Sequence, residues 1–429
     1  MTTQKREGYD KEVLKLLFFC LNIIMMINLL EKLIKTSNPL SEIAEKILNS
    51  ERLTKEDGIK LYESFDIFSI GALADYARVN RLINKDEQNY VYWINNHHLN
   101  LTNICEGTCK FCAYRRKEGQ EGAFLYTLEK AVEYLETQVS KNASEIHIVS
   151  ALNPYWNLEN CKKLLQETKR ILPNTHIQAF TAVEIDYLSK ISNVSVEKVL
   201  QELIDSGLGS LPGGGAEIFA ENIRQKVCPE KISGEKWLEI MQIAHNLGLK
   251  SNATMLTGIG ETSEDKIDHM LKIREVQDKT GGFMTFIPLF CHYENTEMFQ
   301  TLSVIASEAK QSKSSNKWIA SSQAPRNDDV FRPPTGFETV KDYAISRLML
   351  DNVPHIKAFW IQIGTKLAQV TLSFGVDDLD GTVMEEKITR YAGAKTGNAM
   401  TKDELIHLIK RAGKIPVERD TVYNIVKVY

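Results

Sequence analysis

Within "NLTNICEGTCKFCAYRR", residues 100–116, three thiols fall in eight positions: Cys105, Cys109 and Cys112, with Phe111 just before the last. A zinc ion held by protein alone takes four ligands, a disulfide takes two, and the ferredoxin spacings that hold a complete iron–sulfur cluster supply four thiolates. Three thiolates on a [4Fe–4S] cube leave one iron open to chelation by a cofactor or substrate, just as a catalytic zinc keeps one position open. Two other readings compete. A zinc knuckle needs a fourth Cys or His at ordinary spacing, and an electron carrier or redox sensor needs a complete ligand set.

The elements around this loop indicate where it sits. Short apolar runs alternate with longer amphipathic stretches: "HHLNLTN", "IHIV" at 146, "IQAFT" at 177, "LGSLPG" at 208, "KSNATML" at 250, "FMTFIPL" at 283, "HIKAFWIQ" at 355 and "VTLSFG" at 370. Eight strands alternating with helices are the signature of a parallel α/β fold, and eight close a (β/α)8 TIM-type barrel. The three cysteines then lie on the loop after the first strand, at the face where barrel active sites form. The spacing of apolar residues from about residue 38 predicts a helical lead-in over 38–92, with helix starts near Ser41, Thr54 and Ser64. The barrel is expected over 93–429, interrupted by a Ser-, Lys- and Asn-rich surface or disordered insert at 302–336.

Composition narrows the function classes. The formal charge of −4 over 429 residues, with both signs interspersed, argues against nucleic acid or an acidic membrane surface and for a small-molecule partner. Seven cysteines, an odd number and mostly scattered, do not form a disulfide framework and fit a reducing cytoplasm. The segment 1–37 contains "VLKLLFFCLNIIMMINLLEKLI", the most apolar stretch, interrupted by Lys15, Asn22 and Asn28. That leaves it short of the roughly 20 apolar residues a bilayer crossing needs, so an amphipathic or buried helix fits better than an upstream extension of non-native origin or a membrane anchor. No small-residue cleavage site follows it.

The C-x3-C-x2-C spacing with Phe111, on a loop after strand one, resembles the cluster motif of the radical S-adenosylmethionine (SAM) superfamily. "GLGSLPGGGAEIF", "CPEKISGEKWLEI", "AFTAVEIDY", "SNATML", "SRLMLDNVPHIKAFW" and "AGKIPVERDTVYNIV" resemble one branch, the futalosine-route enzymes of menaquinone synthesis and the related deazaflavin (FO) synthases. Within it the chain is most similar to the aminodeoxyfutalosine synthase family, over about residues 40–300 and 336–429. The resemblance implies that Cys105, Cys109 and Cys112 hold a [4Fe–4S] cluster and that SAM is a co-substrate. It further implies a 5′-deoxyadenosyl radical that adds to 3-[(1-carboxyvinyl)oxy]benzoate, and a reductant such as flavodoxin or ferredoxin. A cyclic dehypoxanthine futalosine synthase or an FO synthase subunit would use the same scaffold.

The resemblance, together with the residue types and their spacing, points to cofactor-binding roles. Phe111 and Tyr114 are expected beside the adenine, with Ser150 at the methionine amino group. Glu217 and Arg224, seven apart on the helix after "LGSLPG", are expected at the ribose and carboxylate or in surface ion pairs. Ser251 and Asn252 offer hydrogen bonds from a strand, and the glycines of "PGGGAEIF" serve either a ligand's approach or a tight turn. Two substrate carboxylates in a dry cavity call for cationic or amide partners, for which His292, Asn295, Arg347 and Lys357 stand near strand ends. The chain also departs from the family. Ser150 and Ala151 replace a glycine pair, and Thr257 and Ile259 stand where this branch carries Tyr and His. Oligomeric state is not readable from these residues.

Overall fold

The computed structural model describes residues 28, 30–35, 39–80, 85–298, 333–393, 397 and 399–429. Most of the expected N-terminal extension 1–37 and of the insert 302–336 lies outside the described residues. The described end of the insert leads into the helix Gly336–Met349, where Thr335 and Glu338 form a capping box. The lead-in holds helices Ser41–Leu48, Lys55–Glu63 and Ile67–Asn80. Thr54 caps the second through a capping box with Asp57, and the Ser64 hydroxyl accepts from the Asp66 N–H on the way into the third. Among the described residues no helix is long and apolar enough to cross a membrane.

Seven strands form one parallel sheet: β2 (Asn96–Leu99), β3 (Glu145–Ile148), β4 (His176–Ala179), β5 (Ser210–Leu211), β6 (Lys250–Thr257), β7 (Phe283–Phe290) and β8 (His355–Ile356), in sequence order across the sheet. β1 (Tyr90–Ile94), β9 (Asp378–Gly381), β10 (Ile415–Arg419) and β11 (Ile425–Val428) form a second sheet of order β11-β10-β1-β9. Helices between the parallel strands start on side-chain caps: Thr127, Asn157, Thr181, Ser195, Ser233 and Thr262 each accept a backbone N–H from the first turn. Apolar side chains on the outward faces of the strands, such as Leu99, Ile146, Ile148, Ile177, Met255 and Phe286, pack with these helices in one continuous core.

Seven of the eight expected strands are present, and the eighth is not. "VTLSFG" at 370 continues the helix Thr365–Thr371, because Ala368, Thr371 and Leu372 are buried at the three- and four-residue spacing of a helix face while Val370 is exposed. The fold is therefore a partial TIM-type barrel. Its two edges are linked by the segment 378–384, which bridges to the residue just after β8 at Lys357↔Asp378 and to β2 at His97↔Met384. The Ala358 N–H donates to Asp378 O at 2.8 Å, and the His98 N–H to Met384 O at 2.8 Å.

Three buried aspartates fasten this closure. Asp377 accepts from Arg347 Nη2 at 2.8 Å and pairs with His355 Nδ1 at 3.0 Å. Asp378 accepts from Arg419 Nε at 2.7 Å, and Asp380 from Lys357 Nζ at 3.1 Å. Burial pushes the Asp377 carboxyl up, but Arg347 and His355 outweigh it and hold the group well below the usual carboxylate range. Removing one member of a buried pair leaves the other charge unpaired, at a cost of about 3–5 kcal/mol. Arg419→Met is thus expected to lower stability by about that amount, read as an earlier urea midpoint.

Candidate active site

A cavity of roughly 410 Å3 opens at the C-terminal ends of the parallel strands. The loop after β2 forms one wall with Cys105, Cys109, Phe111, Cys112 and Tyr114. This loop is fixed at several points. The Cys105 N–H donates to Arg116 O at 3.1 Å, the Lys110 N–H to Val227 O at 2.9 Å and the Cys112 N–H to Cys109 O at 3.1 Å. The Cys105 sulfur accepts from the N–H groups of Gly107 at 3.3 Å and Leu152 at 3.4 Å. Burial pushes the Cys109 thiol up to about 12, while the Lys231 ammonium opposes that shift.

The donor set distinguishes between metal groups. A zinc ion draws its thiolates to about 2.3 Å, whereas among the described residues no three Cys, His, Asp or Glu converge as a single ion requires. Three unpaired thiols on one loop, with backbone N–H groups directed at one of them and an open cavity in front, suit the spread ligands of a cubane cluster. The residues therefore fit a [4Fe–4S] group held by Cys105, Cys109 and Cys112.

Lys231 is the neighbouring charge that the sequence did not single out. Its ammonium lies 5.1 Å from the centre of the Phe111 ring and forms an ion pair with Glu217. Glu217 is in the left-handed backbone region at φ 50°, ahead of the helix Glu221–Val227 and not on it, so it shares no helix face with Arg224. Arg224 is turned behind the wall, where its guanidinium donates to the carbonyls of Ala216, Ile218 and Ile232. The glycine run is shaped by packing. A Cβ on Gly213 would stand 2.8 Å from the Ala253 carbonyl carbon, and Gly215 is at φ 84° against Val183.

Strand alternation sorts the next pair. Asn252, Thr254 and Leu256 of β6 face the cavity, so Ser251 faces outward, where it pairs with His245 Nε2 at 2.8 Å. His292 and Lys357 line the cavity; Asn295 and Arg347 do not. Asn295 donates to Tyr391 O at 3.1 Å, and Arg347 is taken up by Asp377, Gly375 O and Pro354 O. Ser150 lines the cavity, with its hydroxyl accepting from the Thr102 N–H at 3.1 Å, so its extra atoms are held against a neighbouring loop. Thr257 bonds Leu289 O and Ile259 is fully buried, and neither lines the cavity. Glu261 holds the turn ahead of the next helix by accepting from the N–H groups of Gly258 and Ile259.

Two cavity carboxyls were also missed. Glu184 completes a capping box with Thr181 and accepts from the Ser150 N–H at 3.0 Å; burial raises it to about 7 against these bonds. Burial likewise raises Glu386 to about 7, although it accepts from the Thr389 N–H. The available signal for Glu184 was the T-x-x-E capping pattern inside "AFTAVEIDY". The Tyr114 hydroxyl is buried without a hydrogen-bond partner.

Comparison with known proteins supplies the family. A model described as Radical SAM superfamily matches residues 99–273, and one described as CofH/MqnC C-terminal region matches residues 325–429. Aminodeoxyfutalosine synthase from Streptomyces coelicolor is 41% identical over 90% of this chain and 94% of its own length. The chain belongs to the radical SAM superfamily. Aminodeoxyfutalosine synthase from Thermus thermophilus is 38% identical over 90% of this chain and 96% of its own. Cyclic dehypoxanthine futalosine synthase from Halalkalibacterium halodurans is 31% identical over 90% and 95%. The solved structure of methylornithine synthase shares the fold, with a TM-score of 0.63 at 15% identity over 87% of this chain and 96% of that one. This radical SAM enzyme uses a [4Fe–4S] cluster and SAM.

Cys105→Ala, Cys109→Ala and Cys112→Ala are each expected to abolish cluster retention after anaerobic reconstitution, measured as bound iron and sulfide. Cys161→Ala and Cys228→Ala should retain it. Retention in any of the first three variants would overturn the ligand assignment.

Proposed function

We propose that this enzyme is an aminodeoxyfutalosine synthase of menaquinone biosynthesis. It would join the adenosyl part of SAM to 3-[(1-carboxyvinyl)oxy]benzoate, with rearrangement through the aromatic ring and loss of a carboxylate, to give 6-amino-6-deoxyfutalosine. The observation that carries this reading is sequence identity of 41% and 38% to two aminodeoxyfutalosine synthases over nearly their whole length, against 31% to the cyclic dehypoxanthine futalosine synthase. Cavity size agrees: about 410 Å3 lies within the range of roughly 300–1,000 Å3 typical of small-molecule sites.

When bound, the cluster supplies the electron that cleaves the sulfonium of SAM into methionine and a 5′-deoxyadenosyl radical. The chain supplies position and dryness. Phe111 and the unpartnered Tyr114 hydroxyl offer an aromatic face and one hydrogen bond to the adenine. Glu217 and the backbone at Ser150 and Ala151 face the same part of the cavity as the cysteine loop and provide acceptors for the ribose hydroxyls and the methionine ammonium. Lys231, beside Phe111 and Glu217, places a cation near the carboxylates that enter there. The apolar stretch of Leu256, Ile287 and Leu289 on β6 and β7 excludes water from the radical. A flavodoxin or ferredoxin would deliver the electron, and a reducing cytoplasm suits the unpaired thiols.

The test is anaerobic incubation of reconstituted enzyme, reductant, SAM and 3-[(1-carboxyvinyl)oxy]benzoate, followed by mass spectrometry. A product with the mass of the adenosyl adduct less the carboxylate is expected. Formation of 5′-deoxyadenosine alone would assign the chain to the cyclase or another relative, and no cleavage of SAM would rule out the reaction.

A further inference from the structure

The interior of the barrel is built in a way its active-site mouth does not explain. Parallel barrels normally fill their lumen with layers of Val, Ile and Leu. Here the inward positions on adjacent strands are Asn96 and His98 on β2, Glu145 and His147 on β3, and Gln178 on β4, all lining the cavity. They are met from the closing side by Lys357 and Asp380, which also line it. Burying such groups without compensation is costly, so a lumen lined this way is matched to a polar ligand.

One group in that floor lacks a partner. His98 is 8% exposed, and its Nε2 is buried with no hydrogen-bond partner. Its ring stacks on His147 with centroids 4.6 Å apart and planes 9° apart. His147 has a committed role: its Nδ1 is 3.1 Å from Gln178 Oε1, which also accepts from Asn252 Nδ2 at 3.4 Å. Lys357 keeps one contact to Asp380 at 3.1 Å, and an ammonium carries three donors. The floor thus offers an unused imidazole nitrogen and unused ammonium donors in one enclosed space.

We infer that this floor is the receptor for the ring carboxylate of the aromatic substrate, held by His98 Nε2 and Lys357 Nζ. The inference rests on the proposed reaction, because that reaction fixes the direction of the substrate. The radical arises at the cysteine end, so the alkene and its own carboxylate stay there. The ring carboxylate is the anionic group farthest from the alkene, and it points down the lumen. Charge balance is accommodated locally. The charges that act on His98 are those of His147 on β3, Asp380 on β9, Lys357 after β8 and, from the opposite face of its own strand, His97. Burial, then His147, disfavours its charged form; an incoming carboxylate favours that form and so lets the anion sit beside Asp380.

The test compares two substrates on the reconstituted holoenzyme: 3-[(1-carboxyvinyl)oxy]benzoate and 2-phenoxyacrylate, which lacks only the ring carboxylate. Wild type is expected to lose about 100-fold or more in kcat/KM with the second. His98→Phe, which keeps the ring stack, and Lys357→Met should lose a similar factor with the first substrate and little further with the second. If either variant folds and is as impaired toward 2-phenoxyacrylate as toward the benzoate, the receptor assignment is overturned. Failure of wild type to make product from the benzoate would instead sink the proposed reaction. Calorimetric titration with 3-hydroxybenzoate and phenol then decides the receptor separately: it stands if only the benzoate binds and His98→Phe abolishes that binding, and falls otherwise.

Discussion

The constraint on which this structure depends is the closure of a parallel sheet around charged side chains. Parallel strands have no hairpin partner at the sheet edge, so an open seven-stranded sheet would leave two rows of unpaired backbone groups beside the cavity. Residues 377–384 cover those edges, and they do so with acidic residues. Asp377 is held from the outside by the helix Gly336–Met349 through Arg347, Asp378 from the second sheet through Arg419, and Asp380 from the lumen through Lys357. One short segment therefore joins three layers. Each charge is buried, and each is stable there only because its partner comes from a different element.

That arrangement explains why the C-terminal quarter of the chain is inseparable from the barrel. β10 lies between β11 and β1, and β1 pairs in turn with β9, so none of them pairs with the strands that carry the site, yet Arg419 of β10 neutralises the aspartate that bridges to Lys357. The Tyr423 ring stacks on His355, the first residue of β8, at 3.7 Å and lies 4.1 Å from the Arg419 guanidinium carbon. A polar plug at the N-terminal ends of the strands leaves the C-terminal ends free for loops. Those loops can then carry cysteines, glycines and carboxyls without being needed to hold the sheet together.

The parts of this design that are local in sequence were legible in it. The cysteine loop could be read because its three thiols lie within one turn-rich stretch, and seven strands could be read because each is a short apolar run before or after a capped helix. The closing segment could not. "DDLDG" has three acids in five residues and reads as a solvated loop until Arg347, Lys357 and Arg419 are brought to it. Arg224 and Arg347 show the opposite difficulty. Their charge suggested anionic ligands, but their donors are used on carbonyls and an aspartate inside the fold, and sequence does not show which backbone oxygens need a donor. Ser251 and Asn252 were inseparable as neighbours; only the direction of β6 around the lumen decides which one faces in.

The polar lumen bears on stability as well as recognition. Apolar layers would make a barrel of this size more stable at the position of each replaced side chain, since an ion pair or a buried histidine is at best comparable to a hydrophobic isostere. Here that stability is supplied elsewhere, by the outward faces of the strands and by the fully buried Trp93, Trp237 and Trp360 between the sheets and their helices. The division is sharp along single strands. In β3, Ile146 and Ile148 face the helices and are fully buried, while Glu145 and His147 face the lumen. Period-two alternation thus lets one strand hold the core with one face and present chemistry with the other, so that lumen residues can differ between related barrels without loss of the apolar shell.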